Sequence, residues 1–363
     1  MEKIKVGITQ GDINGVGLEV ILKTFADAEM FEICTPVLYG SPKVVTYHIK
    51  SIESQLNFQL VESALQAKDN CLNLVNCSND DAVVEFGVPS AAAGKAAFDA
   101  LERASMELKE GMIDVLVTAP INKSDIQSNQ FKFPGHTEYL AQKFPSETGP
   151  LMILMNQDLR VALVTTHVPI TKVAQTITQT MIESKIKILD KTLRSDFCIE
   201  IPRIAVLALN PHAGDMGLIG TEEQTVIKPA IDNMISQGIQ CFGPFSADGF
   251  FGNGSYRMFH AVLAMYHDQG LIPFKAIAMD NGVNYTAGLD IIRTSPDHGT
   301  AYDIAGKGLA NENSMRQAIY AAIDVYNARK FDKEIHKNPL RRQFFDRDGK
   351  DDKVNLESAD DGQ

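Results

Sequence analysis

The sequence predicts an α/β fold, a mostly parallel β-sheet with helices packed on both faces. Short apolar, β-branched runs recur along the chain, and longer segments with apolar residues at threes and fours lie between them. No internal repeat of solenoid length breaks this alternation. The candidate strands are residues 3–9 (KIKVGIT), 36–40 (PVLYG), 115–120 (VLVTAP), 151–156 (LMILMN), 161–167 (VALVTTH), 204–209 (IAVLAL) and 261–267 (AVLAMYH). The clearest helix is residues 92–111, an amphipathic run that closes on Gly111.

The 363 residues suffice for a full core and suggest one to three domains. With 44% hydrophobic and 22% charged residues the composition is that of an ordinary globular protein. A net charge of −12 argues against nucleic acid or an anionic membrane as the main partner, so anions must be held by a few local cations. The five cysteines have no C-x-x-C pair or regular spacing, which fits a reducing cytoplasm. No stretch approaches the ~18 apolar residues of a membrane span, and the expectation is a soluble cytoplasmic protein. The acidic tail, residues 346–363, lacks aromatics and is expected to be disordered.

Of eight histidines, His48, His260 and His336 stand where core or surface packing explains them. His167, His212 and His267 share a setting: His167 and His267 close candidate strands and His212 follows one, each where the strand gives way to a loop containing proline or glycine. If those strands are parallel neighbours, three imidazoles emerge together where open α/β sheets bind ligands. Three nitrogens with one open position suit a catalytic divalent metal, and Asp215 and Asp268 are candidate partners for the rings. The alternative is three strand ends capped independently, and the spacing, unlike H-E-x-x-H, does not decide between them.

His136 lies at a helix start in FPGHTEYLA (133–141), with Thr137 as a possible cap and free N–H groups that suit an anion. An ordinary capped helix also explains the stretch. Lys275, Asn284 and Arg293 follow His267 in a glycine-rich region and together could hold a phosphate, although solvated loops would explain the two cations. Turn formation accounts for Asp248 as well as binding does. The N-terminal GITQGDINGVG has the order G-x-x-x-G-x-G, so it reads as a strand-to-helix turn bordering a cleft rather than a dinucleotide loop.

Taken together, GITQGDINGVG, TAPINK (118–123), GHTEYLA (135–141), TTHVPI (165–170), LNPHAGDMGLIGTEE (209–223), GPFSADGFF (243–251), AMYHDQGLIPFK (264–275) and residues 282–308 resemble the 4-hydroxythreonine-4-phosphate dehydrogenase family of vitamin B6 synthesis. The resemblance implies an αβα sandwich in two domains flanking a cleft, as in isocitrate and isopropylmalate dehydrogenases. Residues 1–125 with 285–345 would form the cofactor side, and residues 126–284 the metal, substrate and dimer side. It implies His167, His212 and His267 as metal ligands, with His267 supplied by the second chain of a homodimer. It implies His136, Thr137, Lys275, Asn284 and Arg293 as substrate ligands, and Lys275 and Asp248 as catalytic residues. The loop 297–311 resembles an adenosine-binding loop, giving His298, Gly299, Ala301 and Gly306 as cofactor contacts. The cofactors implied are NAD (or NADP) and a divalent metal such as Zn, Mg, Co or Mn.

The implied reaction oxidises 4-phosphooxy-L-threonine to a β-keto acid that decarboxylates to 3-amino-2-oxopropyl phosphate. A related family oxidises 4-phospho-D-threonate or D-erythronate phosphate with nearly the same residues. Outside dehydrogenases, a metal-dependent aldolase would need no cofactor loop, and a non-catalytic metal- and phosphate-binding regulator would not reduce NAD. Two features depart from the family pattern: the glycine loop lacks prolines, and residues 126–133 are extra and expected to alter the cleft rim.

Overall fold

The computed structural model describes residues 3–77 and 82–338, so the tail at 346–363 lies outside the described residues. Twelve strands form one sheet: β1 (Ile4–Thr9), β2 (Cys34–Gly40), β3 (Phe58–Val61), β4 (Leu72–Asn76), β5 (Val115–Thr118), β6 (Leu151–Met155), β7 (Arg160–Leu163), β8 (Ile204–Leu207), β9 (Cys241–Phe245), β10 (Ala261–Ala264), β11 (Val283–Ala287) and β12 (Arg293–Pro296). Their order is β3-β4-β2-β1-β5-β12-β11-β6-β7-β10-β8-β9. The sheet is mostly parallel, as expected; only β11 with β12, β11 with β6, and β6 with β7 run antiparallel. Every residue of β2 is buried, the mark of a strand covered by helices on both faces.

All seven candidate strands are present, but five stop short of their expected ends, and three of these precede histidines. β7, β8 and β10 end at Leu163, Leu207 and Ala264, so the histidines lie beyond the strands, His167 and His212 in the connections and His267 at the first residue of the following helix. Five short strands, β3, β4, β9, β11 and β12, escaped the pattern reading. β3 is half exposed and β12 reads RTSP, so neither carries an apolar run.

The helix Ala91–Lys109 is N-capped by the Ser90 hydroxyl, which accepts from Ala93 N–H, and Gly111 follows at φ 71°. It packs on residues 126–133. Within residues 126–133, Ile126 and Phe131 are buried, and Phe131 stacks on Tyr139 with ring centroids 5.4 Å apart. Phe98 meets the same two rings at 6.0 and 6.3 Å. Residues 126–133 therefore pack as an aromatic wedge against the helix His136–Lys143.

The glycine turn after β1 also differs from a dinucleotide loop in what it packs against. Gly15 lies so close to the 297–311 loop that a Cβ there would stand 2.7 Å from the Thr300 carbonyl oxygen. Val16 N–H donates to that oxygen at 3.0 Å, and Tyr302 Oη donates to Asp12 Oδ2 at 2.6 Å. The two loops form one unit.

Candidate active site

A cavity of about 380 Å³ opens among β6, β7, β11, β12 and the helices that start at His136 and His267. His136, Thr137, His167, His267, Lys275, Asn284 and Arg293, seven residues singled out in the sequence, line it together. Lys123, Glu138, Lys185 and Asp297 line it as well and were missed. Lys123 ends the TAPINK segment and Asp297 follows the Arg293 strand, so position beside a recognised residue was their only signal.

Arg293 is 3% exposed and has no carboxylate among its hydrogen-bond partners. Its Nε and Nη2 donate to Thr118 Oγ1 at 3.0 and 2.6 Å, and Nη1 donates to Thr286 Oγ1 at 3.2 Å. Nη2 also reaches His136 Nδ1. Burial lowers the guanidinium to about 10, and Glu138 works against that, so the cation persists at neutral pH. Burial, followed by the charges of Arg293 and Lys123, holds His136 well below its ordinary value, so the ring is neutral. A guanidinium only donates, so Nδ1 of that ring must accept and Nε2 must carry the hydrogen. His136 Nε2 is buried with no partner, which leaves an N–H without an acceptor beside a buried cation. Asn284 Oδ1, in the same cavity, is a buried acceptor without a donor.

Gly135, and not Thr137, is the N-cap of the His136 helix, and no side chain caps it. Thr137 is already helical, with its hydroxyl 3.5 Å from that of Thr286. The expectation of a Thr137 cap is therefore corrected. The helix N-terminus stays open because its first turn faces the cavity and Arg293.

β7, β10 and β8 are indeed parallel neighbours, with β10 in the middle. His167 and His267 follow adjacent strands, and their ring centroids are 6.2 Å apart within one chain. His267 Nδ1–H donates to Asp268 Oδ1 at 2.7 Å, which frees Nε2 as a lone pair. Glu138 Oε1 stands 3.9 Å from His167 Nδ1. His212 does not join them. Residues His212, Ala213, Gly214, Asp215 and Met216 all take left-handed backbone angles, and His212 points outward and exposed. Each non-glycine residue there costs about 1–2 kcal/mol, and the turn is held from one side. Glu223 Oε1 accepts from Leu209 and Asn210 N–H at 2.8 and 2.7 Å, and Oε2 accepts from Asn210 Nδ2 at 3.0 Å. Burial would raise the Glu223 carboxyl, but these bonds prevail and lower it.

Asp248 is exposed at the start of the short helix Ala247–Gly252, where it accepts from Ser246 Oγ at 2.6 Å. It lines a neighbouring cavity with Asn210 and Pro211, on the His212 side and apart from Lys275. Among the described residues, no group of three or more His, Cys, Asp or Glu side chains in one chain could hold a metal ion. Two imidazoles with oriented ring nitrogens still suit a borderline divalent cation that takes further ligands from elsewhere.

His298 Nδ1–H donates to Gly299 O at 2.9 Å, so its Nε2 must be an acceptor, and Nε2 is buried without a donor. Gly299 has open space at its Cβ position, Ala301 sits at φ 44°, and Gly306 at φ 71° lies against Phe86. These four residues surround the loop that packs on the glycine turn.

A mixed α/β sheet whose cleft gathers a buried arginine, paired histidines and lysines defines a protein with a cationic, anion-holding cleft, and comparison gives its family. The family model for pyridoxal phosphate biosynthetic protein PdxA matches residues 32–322. A 4-hydroxythreonine-4-phosphate dehydrogenase of Bacteroides thetaiotaomicron is 58% identical over 358 residues, covering 99% of this chain and 98% of its own. A protein of Oceanobacillus iheyensis named as a candidate D-threonate 4-phosphate dehydrogenase is 39% identical, covering 88% of this chain and 97% of its own. The crystal structure of 4-hydroxythreonine-4-phosphate dehydrogenase from Klebsiella pneumoniae superposes with a TM-score of 0.78 at 34% identity, covering 90% of this chain and 98% of that one. The chain is an oxidoreductase and belongs to the PdxA family. No helix among the described residues is long and apolar enough to cross a membrane.

Proposed function

We propose that the chain oxidises 4-phosphooxy-L-threonine with NAD in pyridoxal 5'-phosphate synthesis, giving 2-amino-3-oxo-4-phosphooxybutanoate, which decarboxylates to 3-amino-2-oxopropyl phosphate. The observation that carries this reading is the unpaired Nε2–H of neutral His136 beside buried Arg293. An N–H and a cation facing one cavity call for an anion with several acceptor oxygens, which a phosphate supplies. Thr137 and the open helix start add donors to the same anion. The unpaired Asn284 Oδ1 accepts from an amino or hydroxyl group further along the substrate. Lys275, exposed on its stem at the cavity wall, holds the proton that leaves the reacting hydroxyl or steadies the charge that develops there.

A nicotinamide cofactor along His298, Gly299, Ala301 and Gly306 would supply the hydride acceptor, with the His298 Nε2 lone pair open to a hydroxyl donor. A divalent cation at His167 and His267 would supply Lewis acidity at the substrate oxygens. His212 and Asp248 stand together on an exposed face, so we assign them to the cavity of a second copy of the chain. This homodimer differs from the one the resemblance implies, because His267 stays with its own chain and His212 crosses.

The relative named for D-threonate phosphate supports the second reading, oxidation of 4-phospho-D-threonate or D-erythronate 4-phosphate. NADH formation by the metal-loaded protein with 4-phosphooxy-L-threonine and 4-phospho-D-threonate, run side by side, separates the two. Turnover of the L-threonine phosphate alone supports the first reading, preference for the other substrate the second, and silence with both sinks the assignment.

A further inference from the structure

Asp297 stands at a junction that the seven recognised cavity residues do not explain. It directly follows β12, whose first residue is Arg293, and it opens the 297–311 loop ahead of His298. Its backbone is anchored by donation from Asp297 N–H to Gly282 O at 3.1 Å. Its carboxylate Oδ1 lies 3.7 Å from Lys275 Nζ, with side-chain exposures of 16% for Asp297 and 44% for Lys275. Among the described residues it is the only carboxylate in ion-pair range of that amine.

An amine at the end of four rotatable bonds, exposed over nearly half its stem, has most of its orientations in solvent. A reacting hydroxyl on a substrate whose phosphate sits at Arg293 needs that amine at one place. Asp297 is largely buried, anchored through its backbone and joined directly to the strand that begins at Arg293, so it selects that place.

We propose that Asp297 is a positioning residue that acts through Lys275, holding the ammonium at the reacting carbon's oxygen. This rests on the dehydrogenase reading above. Burial pushes the Asp297 carboxyl up to about 6, with the Lys275 and His267 charges opposing, so it remains largely ionised at neutral pH and able to hold the amine.

The test uses the full chain with Asp297→Asn, which keeps the shape and removes the charge, and Asp297→Glu, which keeps the charge. We expect Asp297→Asn to lower kcat by about ten- to a hundredfold with KM within about threefold and an unchanged melting temperature. Asp297→Glu should recover a substantial part of the rate. A kcat for Asp297→Asn within about twofold of the parent, or a loss carried wholly by KM, overturns the proposal. A second measurement needs no turnover: lysine-selective NMR reads the mobility of the Lys275 ammonium in both proteins. Release of that ammonium in Asp297→Asn supports the proposal, and unchanged mobility overturns it even if neither substrate is oxidised. Failure of the dehydrogenase reading would instead show as silence of the parent protein with both substrates.

Discussion

Arg293 donates from Nη2 to Nδ1 of His136 across 3.2 Å, although 157 residues separate the two in the chain. The contact makes one anion site out of two elements, a strand start and a helix start, and assigns the ring hydrogen to the nitrogen that faces the cavity.

Replacing Arg293 with Lys keeps the charge but removes the fork that binds two threonines and the ring at once. We expect kcat/KM to fall by about a hundredfold, since lysine cannot reproduce bidentate geometry. Steady-state kinetics and titration with inorganic phosphate both report it. Unaltered phosphate binding in Arg293→Lys would remove the phosphate from this corner of the cavity.

Phe131 belongs to the segment expected to sit on the cleft rim and is instead 0% exposed beneath the His136 helix. Phe131→Ala should cost about 3–5 kcal/mol in chemical denaturation. It should also raise KM, because the helix start loses its support. An alanine variant of parental stability would mean that the aromatic wedge carries no load.

Glu223 holds the left-handed turn that presents His212. Its carboxyl is lowered in the folded protein, so its contribution to stability is present above the ordinary carboxylate pKa and is lost as pH falls through the lowered folded value. Glu223→Ala should destabilise by about 1–3 kcal/mol by leaving buried donors unpaired. Backbone hydrogen exchange at residues 209–217 should then accelerate ahead of the rest of the sheet, and exchange at the parental rate would place the restraint elsewhere.

Asp268 orients the His267 ring through Nδ1–H. Asp268→Asn weakens that orientation and should reduce affinity for added zinc or cobalt by about ten- to a hundredfold. Metal titration of both proteins checks this; equal affinities would show that the Asp268 bond does not support metal binding at His267.

His48 is buried, with Nε2–H donating to Ile13 O at 2.8 Å and Nδ1 unpartnered. Burial lowers it to about 4, partly offset by the Ile13 bond and Glu19. The folded value lies below the unfolded one near 6.5, so the unfolded chain takes up the proton first. Its stabilising contribution is complete above pH ~6.5 and declines as pH falls towards about 4. Urea midpoints across that range should drop less steeply in His48→Gln than in the parent.

The apolar runs of β1, β2, β5, β6, β7, β8 and β10 were legible because burial on both faces leaves a continuous hydrophobic signal. β11 and β12, which carry Asn284 and Arg293, were not, because Arg293 is buried against two threonines rather than against apolar neighbours. For residues 126–133 only an effect on the cleft rim was expected, because no local pattern reveals that Phe131 and Tyr139 stack.

Local chemistry along the chain is enough to write down the α/β class, an amphipathic helix over 92–111 that the fold realises as Ala91–Lys109, and the inventory of histidines and cations. Which of those side chains meet depends on contacts distant in sequence. Strands β7 and β10 pair directly and bring His167 to His267, whereas five left-handed residues after β8 carry His212 away. Asp297 meets Lys275 only because β12 and the helix after β10 converge on one cavity. Periodicity records the environment of each residue, but partners are chosen by strand order and loop geometry, which are set by packing across the whole sheet.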